Sequence, residues 1–397
     1  MKTFTATLFS ACISLSAAAQ ATENKISRVF DYRPAPGQFV NKLPEYEPGD
    51  TQEDMNRKAG ECIKGDEKIL ISLGGFGGYV IFGFERPVAN VPGVADFKVL
   101  GNAFWADANP NPDAPKRGGS CEPGIVYVMY DTNGNGLPDD EWYELAGSEY
   151  HKAETTLDYQ ITYFKPDENK VREPMPGYPF INDMTYIKWE DNQGVQYYMY
   201  RNTFHNQPYY PLWIDENELV FQGTRLANNY VDESGTGSYY VQYAYDWGYA
   251  DNCPNNDECS ELNIEWAVDK NGNPVHLPAI HFVKVYTGVN QYCGWLGETS
   301  TEIMGAEDLH PEIIYEPTDK NNVYQDKPSI RLLKNPVNDV LIIEATEQQT
   351  LSIFNTLGQS ILSRQISEGI NEINCSHLPK GLYIIASNYN TVKFFKQ

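Results

Sequence analysis

The segment Asp131–Tyr150, DTNGNGLPDDEWYELAGSEY, is the part of the chain that indicates the fold most directly. The run Gly124–Tyr130, GIVYVMY, precedes it, and Trp142, Tyr143 and Leu145 lie in its second half. β-Branched and aromatic residues on both sides of a loop rich in Gly, Asn and Asp are typical of two strands joined by a turn. The segment therefore predicts a strand–loop–strand hairpin.

Short side chains that carry oxygen atoms stand at every second position of this loop. Asp131, Asn133 and Asn135 can direct their oxygens toward one hard cation, and a glycine follows them at the sharp turn. Either of the two following aspartates can complete the shell. We therefore predict a Ca²⁺ site with the ligands Asp131, Asn133, Asn135, Leu137 (through its carbonyl), Asp139 and Asp140.

This spacing resembles the opening half of an EF-hand loop and the short calcium loops of dockerin and thrombospondin type 3 repeats. The sequence departs from the EF-hand at the twelfth position, where Trp142 stands in place of the bidentate glutamate. The departure favours a strand–loop–strand site over a helix–loop–helix site. The alternative is a plain Asn-Gly hairpin turn whose acids are only solvated.

Two other groups of acids are weaker candidates for an ion site. Asp269, Asn271 and Asn273 repeat the alternate spacing, although a simple turn explains this segment equally well. A second group follows the aromatic run Tyr239–Tyr249 and consists of Asp246, Asp251 and Asp257. We interpret this group as a possible contributor to a second ion site.

The composition favours β structure and argues against a nucleic-acid partner. Among 397 residues there are 28 Tyr and 7 Trp, and an aromatic share of 13% is typical of strands and of ligand-stacking surfaces. The net charge of −24 disfavours nucleic acids and anionic membranes, because both require a basic surface. Residues 327–397 carry a balance of +2, so the tail is predicted to be a separate unit.

Gly, Asn and Pro interrupt the chain throughout, and no sustained helical periodicity is found. Predicted strands at Lys68–Leu73 and Tyr79–Phe84 flank Gly74–Gly78, which we interpret as a hairpin turn because it lacks the lysine and helix of a phosphate loop. Residues 20–66 are predicted to form an extended lead-in with room for an edge strand. The predicted fold class is all-β: a jelly-roll-like β-sandwich with an insertion at 67–315, then a small Ig-like sandwich.

The order of several segments between residues 68 and 310 carries a resemblance. They are Gly78–Phe104, Glu122–Gly136 (EPGIVYVMYDTNGNG), Glu141–Tyr150, Trp247–Asn252 (WGYADN), Ile264–Asn290 and Gly294–His310. Together they resemble a family of bacterial cell-surface proteins with a discoidin-like or jelly-roll β-sandwich. The resemblance implies an exported, non-catalytic protein, with capture of a glycan or a corrinoid as candidate roles.

The first residues are interpreted as a secretory signal peptide at 1–19. Lys2 supplies the positive charge, Phe4–Ser16 is apolar but too short to span a bilayer, and Ala17–Ala19 offers a small-residue cleavage site. No later segment reaches the length of a membrane helix, so no transmembrane segment is predicted. We therefore expect a secreted or cell-surface protein.

The tail at 329–397 carries a second resemblance, and a polar linker at 316–328 precedes it. Its segments are Asn335–Ile343 (NPVNDVLII), Leu351–Ile361 (LSIFNTLGQSI), Gly369–Ala386 (GINEINCSHLPKGLYIIA) and Val392–Gln397 (VKFFKQ). They resemble the C-terminal sorting domain of type IX secretion cargo, although Cys375 stands where an aliphatic residue is usual. The resemblance implies export by the outer-membrane type IX secretion machinery and later removal of the domain. The alternative is a fibronectin-like accessory domain.

Six cysteines follow the predicted cleavage site, and exported proteins can oxidise them. Cys253 and Cys259 bracket the turn-rich segment CPNNDEC, so we predict a disulfide between them. Zinc is disfavoured because no CxxC pair or Cys/His quartet is present. The pairing of the other cysteines is left open.

An aromatic segment is the candidate ligand surface. The predicted ligand-binding residues are Tyr197, Tyr198, Arg201, Tyr209, Tyr210 and Trp213. Rings presented at the surface can stack on sugar faces, and Arg201 can hydrogen-bond to ligand edges. The alternative is that these period-two rings fill the sandwich core.

Three functions are carried forward from the sequence. The favoured hypothesis is a calcium-stabilised, non-catalytic protein that binds an extracellular glycan. No catalytic motif is present, but a hydrolase needs only two carboxylates facing across a cleft, so a polysaccharide hydrolase is the second hypothesis. The third hypothesis is an adhesive or structural surface protein, or one that captures a non-glycan nutrient such as a corrinoid.

Overall fold

The computed structural model describes residues 23–106, 117–315, 330–346, 348–355, 360–387 and 391–397. The chain divides into two compact units, 1–315 and 316–397. The predicted signal peptide at 1–19 and the predicted linker at 316–328 lie outside the described residues.

The described part of the first unit consists of one α-helix and many short antiparallel strands. In chain order these are β1 (Ile26–Arg33), α1 (Gln52–Ile63), β2 (Ile71–Ser72), β3 (Tyr79–Ala89), β4 (Phe97–Leu100), β5 (Phe104–Trp105), β6 (Gly118–Ser120), β7 (Gly124–Met129), β8 (Trp142–Leu145), β9 (Thr156–Phe164), β10 (Ile181–Asp191), β11 (Gln196–Asn202), β12 (Glu218–Arg225), β13 (Tyr230–Asp232), β14 (Tyr240–Tyr243), β15 (Glu261–Leu262), β16 (Ala267–Val268), β17 (Ala279–Thr287), β18 (Glu302–Ile303) and β19 (Gly305–Asp308). Three 3-10 turns lie at Glu258–Ser260, Ile264–Trp266 and Gly294–Leu296. The all-β prediction is confirmed.

A six-stranded sheet of order β1-β3-β17-β7-β8-β16 forms the centre of this unit. The sequence of strand β7 explains why both faces of this sheet are covered. Ile125 and Tyr127 point to one face, while Val126 and Val128 point to the other, because side chains alternate along a strand. A strand that is apolar on both faces is stable only between two packed layers.

Each face of the central sheet has its own hydrophobic core. On one side Val126 and Val128 pack with residues of β1 and α1, including Val29 and Met55. On the other side Ile125 packs with the sheet of order β11-β10-β9-β12. Smaller sheets of order β13-β14-β6-β5, β15-β4-β19 and β18-β2 complete the unit. The architecture is therefore sandwich-like.

The lead-in at 20–66 differs from the expectation of an extended segment. Strand β1 forms the edge of the central sheet, and α1 buries Met55, Ala59, Gly60 and Ile63. The helix begins at a capping box in which Thr51 and Asp54 satisfy each other's backbone N–H groups. The prediction of no helix was wrong here, because a polar helix with a narrow apolar stripe gives a weak periodic signal.

The predicted hairpin around Gly74–Gly78 is also wrong. Strand β2 pairs with β18, whereas β3 pairs with β1 and β17, so the two strands that flank the glycines belong to different sheets. A glycine-rich turn lets the chain cross to another sheet as readily as it lets the chain reverse into a hairpin. The strands that pair with β2 and β3 decide which of the two occurs, and they are distant in the sequence.

The second unit is a small pair of antiparallel sheets. Its described strands are β20 (Ile330–Leu332), β21 (Val340–Ala345), β22 (Gln349–Asn355), β23 (Ser360–Ile366), β24 (Gly369–Asn374), β25 (Gly381–Ala386) and β26 (Thr391–Lys396), in the orders β20-β21-β24 and β23-β22-β25-β26. Leu341, Ile353 and Ile385 are buried in its core. Cys375 is buried there as well, so the unusual cysteine takes the place of an aliphatic side chain.

Candidate functional site

The aspartate-rich loop at residues 131–140 closes a hairpin, as predicted. Strands β7 and β8 pair antiparallel, with Val128 opposite Tyr143 and Met129 opposite Trp142. The loop itself lies at the surface, which is expected of a segment so rich in polar side chains.

Asp131 orders the backbone of the loop. Its Oδ1 accepts the N–H groups of Gly134 at 2.8 Å and Asn135 at 3.2 Å, and its Oδ2 accepts that of Gly136 at 2.9 Å. Gly136 has φ +72°, a conformation that other residues rarely adopt. One carboxylate thus gathers three successive backbone donors around itself.

The remaining predicted ligands meet at Asp139. Asn133 Nδ2 donates to Asp139 Oδ1 at 3.0 Å, and Asn135 Nδ2 donates to both oxygens, at 3.2 and 2.9 Å. These hydrogen bonds lower the pKa of Asp139. Asp140 binds the start of the loop, where its Oδ2 accepts the backbone N–H groups of Thr132 at 3.0 Å and Asn133 at 3.5 Å.

The side chains predicted as calcium ligands are engaged in hydrogen bonds within the loop. Asn133 Oδ1 accepts the Asn135 N–H at 3.0 Å, and Asn135 Oδ1 accepts the Leu137 N–H at 2.7 Å. The Leu137 carbonyl accepts the Asp139 N–H at 2.9 Å. Calcium at this loop stays a prediction.

The turn at Asp269 has the simpler structure. Asp269 Oδ1 accepts the N–H groups of Asn271 and Asn273, both at 2.8 Å, and Asn273 Nδ2 closes onto the same carboxylate at 3.0 Å. The hydrogen bonds from Asn273 lower the pKa of Asp269. One carboxylate closes this turn, so it offers fewer charged ligands than the longer loop.

Three predicted ligand-binding residues are buried and Trp213 is half-buried, so the predicted residues do not form a continuous exposed surface. Tyr209 and Tyr210 belong to a hydrophobic core. Arg201 is 4% exposed and donates to Glu168 Oε2 at 2.9 Å. Trp213 stacks on Tyr32, with ring centroids 5.9 Å apart. Period-two aromatic residues have the same sequence pattern whether they face ligand or core, and here most of them face the core.

One group of contacting aromatic residues lies on the edge strand β11 and its neighbours. Tyr197 is 53% exposed and pairs with Trp189 of β10, with ring centroids 6.3 Å apart. Tyr197 also contacts Tyr200 at 5.9 Å, and Tyr200 contacts Tyr292 at 4.9 Å. We call these four rings the platform. Tyr198 is 38% exposed and alternates to the other face of the strand.

A cluster of buried acids lies elsewhere in the first unit. Carboxylate oxygens of Glu122, Asp251 and Glu302 all lie within 4.8 Å of one another. Asp251 is 3% exposed, and its Oδ1 accepts the N–H groups of Asn102 at 2.8 Å and Ala103 at 2.9 Å. Its Oδ2 accepts the Glu302 N–H at 3.0 Å. We call these three residues the acid cluster.

Burial raises the pKa of every member of the acid cluster. The pKa of Glu302 is raised to about 7, and the charge of Glu302 further raises the pKa of Asp251 and Glu122. Nearby Glu298 has its pKa raised to about 7, again first by burial. The cluster therefore holds protons near neutral pH.

The sequence indicates Asp251 as a candidate ion ligand but gives no signal for Glu122 or Glu302. Glu122, Asp251 and Glu302 are far apart in the chain, so their spacing in the sequence does not indicate that they meet in the fold. A hydrolase needs carboxylates that reach the substrate across a cleft. With Asp251 and Glu302 buried, the cluster does not present such a pair at the surface.

The disulfide between Cys253 and Cys259 is confirmed. It closes the loop that holds the 3-10 turn Glu258–Ser260. Among the cysteines in the described residues, Cys62, Cys121, Cys293 and Cys375 are free.

Comparison with known families decides the role of the second unit. Residues 334–397 match the secretion system C-terminal sorting domain. This sorting domain marks proteins exported by the type IX system, so the protein is secreted or displayed on the cell surface and interacts with that machinery. No helix in the described ranges is long and apolar enough to cross a membrane. A search of curated proteins finds no match.

Proposed function

We propose that the protein is a non-catalytic binding protein, secreted or at the cell surface, that recognises an extracellular glycan through the platform while calcium stabilises the 131–140 loop. The observation that carries this proposal is the row of contacting rings from Trp189 to Tyr292, with Tyr197 exposed at its centre. Flat aromatic faces bury the C–H surface of a sugar ring, and polar groups at the rim bind its hydroxyls.

The platform carries polar groups of its own. The Tyr197 and Tyr200 hydroxyls hydrogen-bond to each other at the surface. A glycan hydroxyl can replace this exposed hydrogen bond at small cost. Gln196, Lys188 and Glu190 hydrogen-bond to one another on the opposite face of the sheet, which they share with Tyr198.

The hydrolase alternative has less support. The acid cluster brings three carboxylates together among the described residues, and its member Asp251 is buried and accepts hydrogen bonds from backbone N–H groups. Catalytic carboxylates must contact the glycosidic oxygen or the anomeric carbon. The proposal is therefore binding without turnover.

A glycan panel tests the proposal, with binding and reducing-end release measured on the same samples. We expect binding without release. Tyr197→Ala should weaken binding at least about fivefold, because truncating a binding hot spot costs about 1 kcal/mol or more. Tyr178→Ala is the matched control, since Tyr178 is also exposed but contacts Phe180 rather than the platform.

Release of sugar would overturn the proposal in favour of the hydrolase. If neither binding nor release is detected, the glycan assignment is overturned, and adhesion or capture of a non-glycan ligand such as a corrinoid is favoured. If wild type and Tyr197→Ala bind glycan equally well, the binding site does not lie on the platform.

A further inference from the structure

Lys284 lies in the middle of the central sheet without an anionic partner. It belongs to β17, the third strand in the order of that sheet, and its side chain is only partly exposed. Within the described residues its Nζ forms neither a hydrogen bond nor an ion pair. The ammonium lies over the ring of Tyr79, 4.2 Å from the ring centroid. Removing an unpaired ammonium from water is costly, so we expect an anion from outside the chain to pair with it.

Strand register places Lys284 in one row of side chains that crosses the sheet. Ile81 of β3 and Tyr127 of β7 pair with Lys284 on its two sides. Asp31 of β1 pairs with Ile81, and Glu144 of β8 pairs with Tyr127. Residues directly opposite each other in paired strands point to the same face, so all five share one face of the sheet. We call these five residues the lysine row.

Strand β12, at the edge of the covering sheet, lies beside the lysine row. At one end Phe221 contacts Tyr79, with ring centroids 6.5 Å apart. At the other end Thr224 Oγ1 donates to Glu144 Oε2 at 2.6 Å. Glu144 is buried, whereas the other four residues of the row are partly exposed. The row is therefore a partly open strip of the central sheet that follows the edge of β12.

The two acids of the lysine row are hydrogen-bonded to tyrosines rather than to Lys284. Tyr79 Oη donates to Asp31 Oδ2 at 2.6 Å, and Tyr127 Oη donates to Glu144 Oε2 at 2.9 Å. Burial lowers the pKa of Lys284, although the charge of Asp31 opposes this shift. An ammonium carries three N–H donors, so Lys284 has donors left for a ligand that lies between the two tyrosines.

The surroundings of Lys284 favour one kind of anion. An ammonium donates to carboxylate and phosphate oxygens alike. Repulsion from Asp31 and Glu144 grows with the charge of the ligand, so a singly charged carboxylate is favoured over a phosphate dianion. Tyr127 and Ile81 provide aromatic and aliphatic surface beside the ammonium, which suits a ligand body of ring size.

We propose that Lys284 anchors the carboxylate of a small ring-shaped acid, such as a uronic acid, on the lysine row beside β12. The Lys284 ammonium holds the carboxylate through a charge-assisted hydrogen bond, and Tyr127 and Ile81 contact the ring. This site goes beyond the proposed function, because it shares no residue with the platform and does not require a loop ion.

The test compares methyl glucuronide, methyl glucoside and glucose 6-phosphate as probes of the full chain, followed by NMR titration. We expect methyl glucuronide to bind at least about tenfold more tightly than the other two probes, which corresponds to about 1.4 kcal/mol. Lys284→Met and Lys284→Gln should both abolish this preference, because both remove the charge. Lys270→Met is the matched control, since Lys270 is exposed on a turn outside the lysine row, and it should bind like wild type.

Melting curves show whether a variant loses binding because it unfolds. Lys284→Met should melt at or above the wild-type temperature, since an apolar side chain of similar length replaces an unpaired ammonium. Loss of the preference in a variant that melts like wild type supports the assignment.

Two results would overturn the inference: wild type binds all three probes equally, or the Lys284 variants keep the preference for methyl glucuronide. The glycan panel separates this inference from the proposed function. If methyl glucuronide binds through Lys284 while no Tyr197-dependent glycan binding is found, the platform fails and the lysine row is retained. The reverse result retains the platform alone.

Discussion

Replacing Glu302 with glutamine should make the protein more stable at mildly alkaline pH and leave it unchanged at mildly acidic pH. Glutamine keeps an oxygen that can accept the Asn102 Nδ2–H, which reaches the Glu302 carboxylate at 2.7 Å. It also removes the negative charge that lies against Asp251 and Glu122. The variant therefore resembles the protonated form of the wild-type cluster.

The direction follows from proton linkage. Burial raises the pKa of Glu302 from 4.5 to about 7, so the folded state binds a proton that the unfolded state releases. The stabilisation from that proton is fully present below pH 4.5 and is lost as the pH rises through about 7. At about 1.4 kcal/mol for each pKa unit, the shift corresponds to about 3 kcal/mol.

Thermal unfolding in chelator at about pH 5 and about pH 8 measures the effect. Wild type should melt roughly 5–10 °C lower at the higher pH, and Glu302→Gln should lose a substantial part of that difference. Glu154→Gln is the matched control, because Glu154 is exposed. If the melting temperatures of wild type and Glu302→Gln fall by the same amount between the two pH values, the reasoning is refuted. A calcium-dependent rise that Glu302→Gln alone abolishes would instead assign a metal ion to the cluster.

Three other outcomes are expected. Saturating calcium should raise the melting temperature by several degrees, since a hundredfold excess over Kd contributes about 2.7 kcal/mol. Asp131→Ala should abolish most of this rise, whereas Asp269→Ala should abolish little of it. Equal melting temperatures in calcium and in chelator would show that the 131–140 loop is a plain turn. Deleting residues 329–397 should leave the first unit folded but retained in the periplasm, as cell fractionation would show; surface display of the truncated chain would contradict the sorting role. Replacing Cys253 and Cys259 with serine should lower the free energy of unfolding by about 2 kcal/mol, because the bridge closes a short loop, and an unchanged denaturant midpoint would contradict this.

The features that the sequence determined by itself are local in the chain. The hairpin at residues 131–140 follows from alternate oxygen-bearing side chains between two apolar runs, and neighbours within ten positions decide its shape. The disulfide between Cys253 and Cys259 was predictable for the same reason, since the two cysteines stand only six positions apart. The sorting domain was identified from ordered motifs within about 70 residues.

Helix α1 shows where local information was present but weak. The Thr51–Asp54 capping box and the spacing of Met55, Ala59 and Ile63 are visible in the sequence. The surrounding residues are mostly charged or polar, so the apolar stripe is narrow. Burial against β1, rather than helix propensity, stabilises the helix.

Only the tertiary structure decided which aromatic and acidic residues face each other. Tyr197 and Tyr209 belong to one aromatic segment, yet one is exposed on an edge strand and the other is buried. Glu122, Asp251 and Glu302 meet although long stretches of chain separate them. Strand pairing brings such residues together, and it depends on hydrogen bonds between distant segments, so residue spacing along the chain does not encode it.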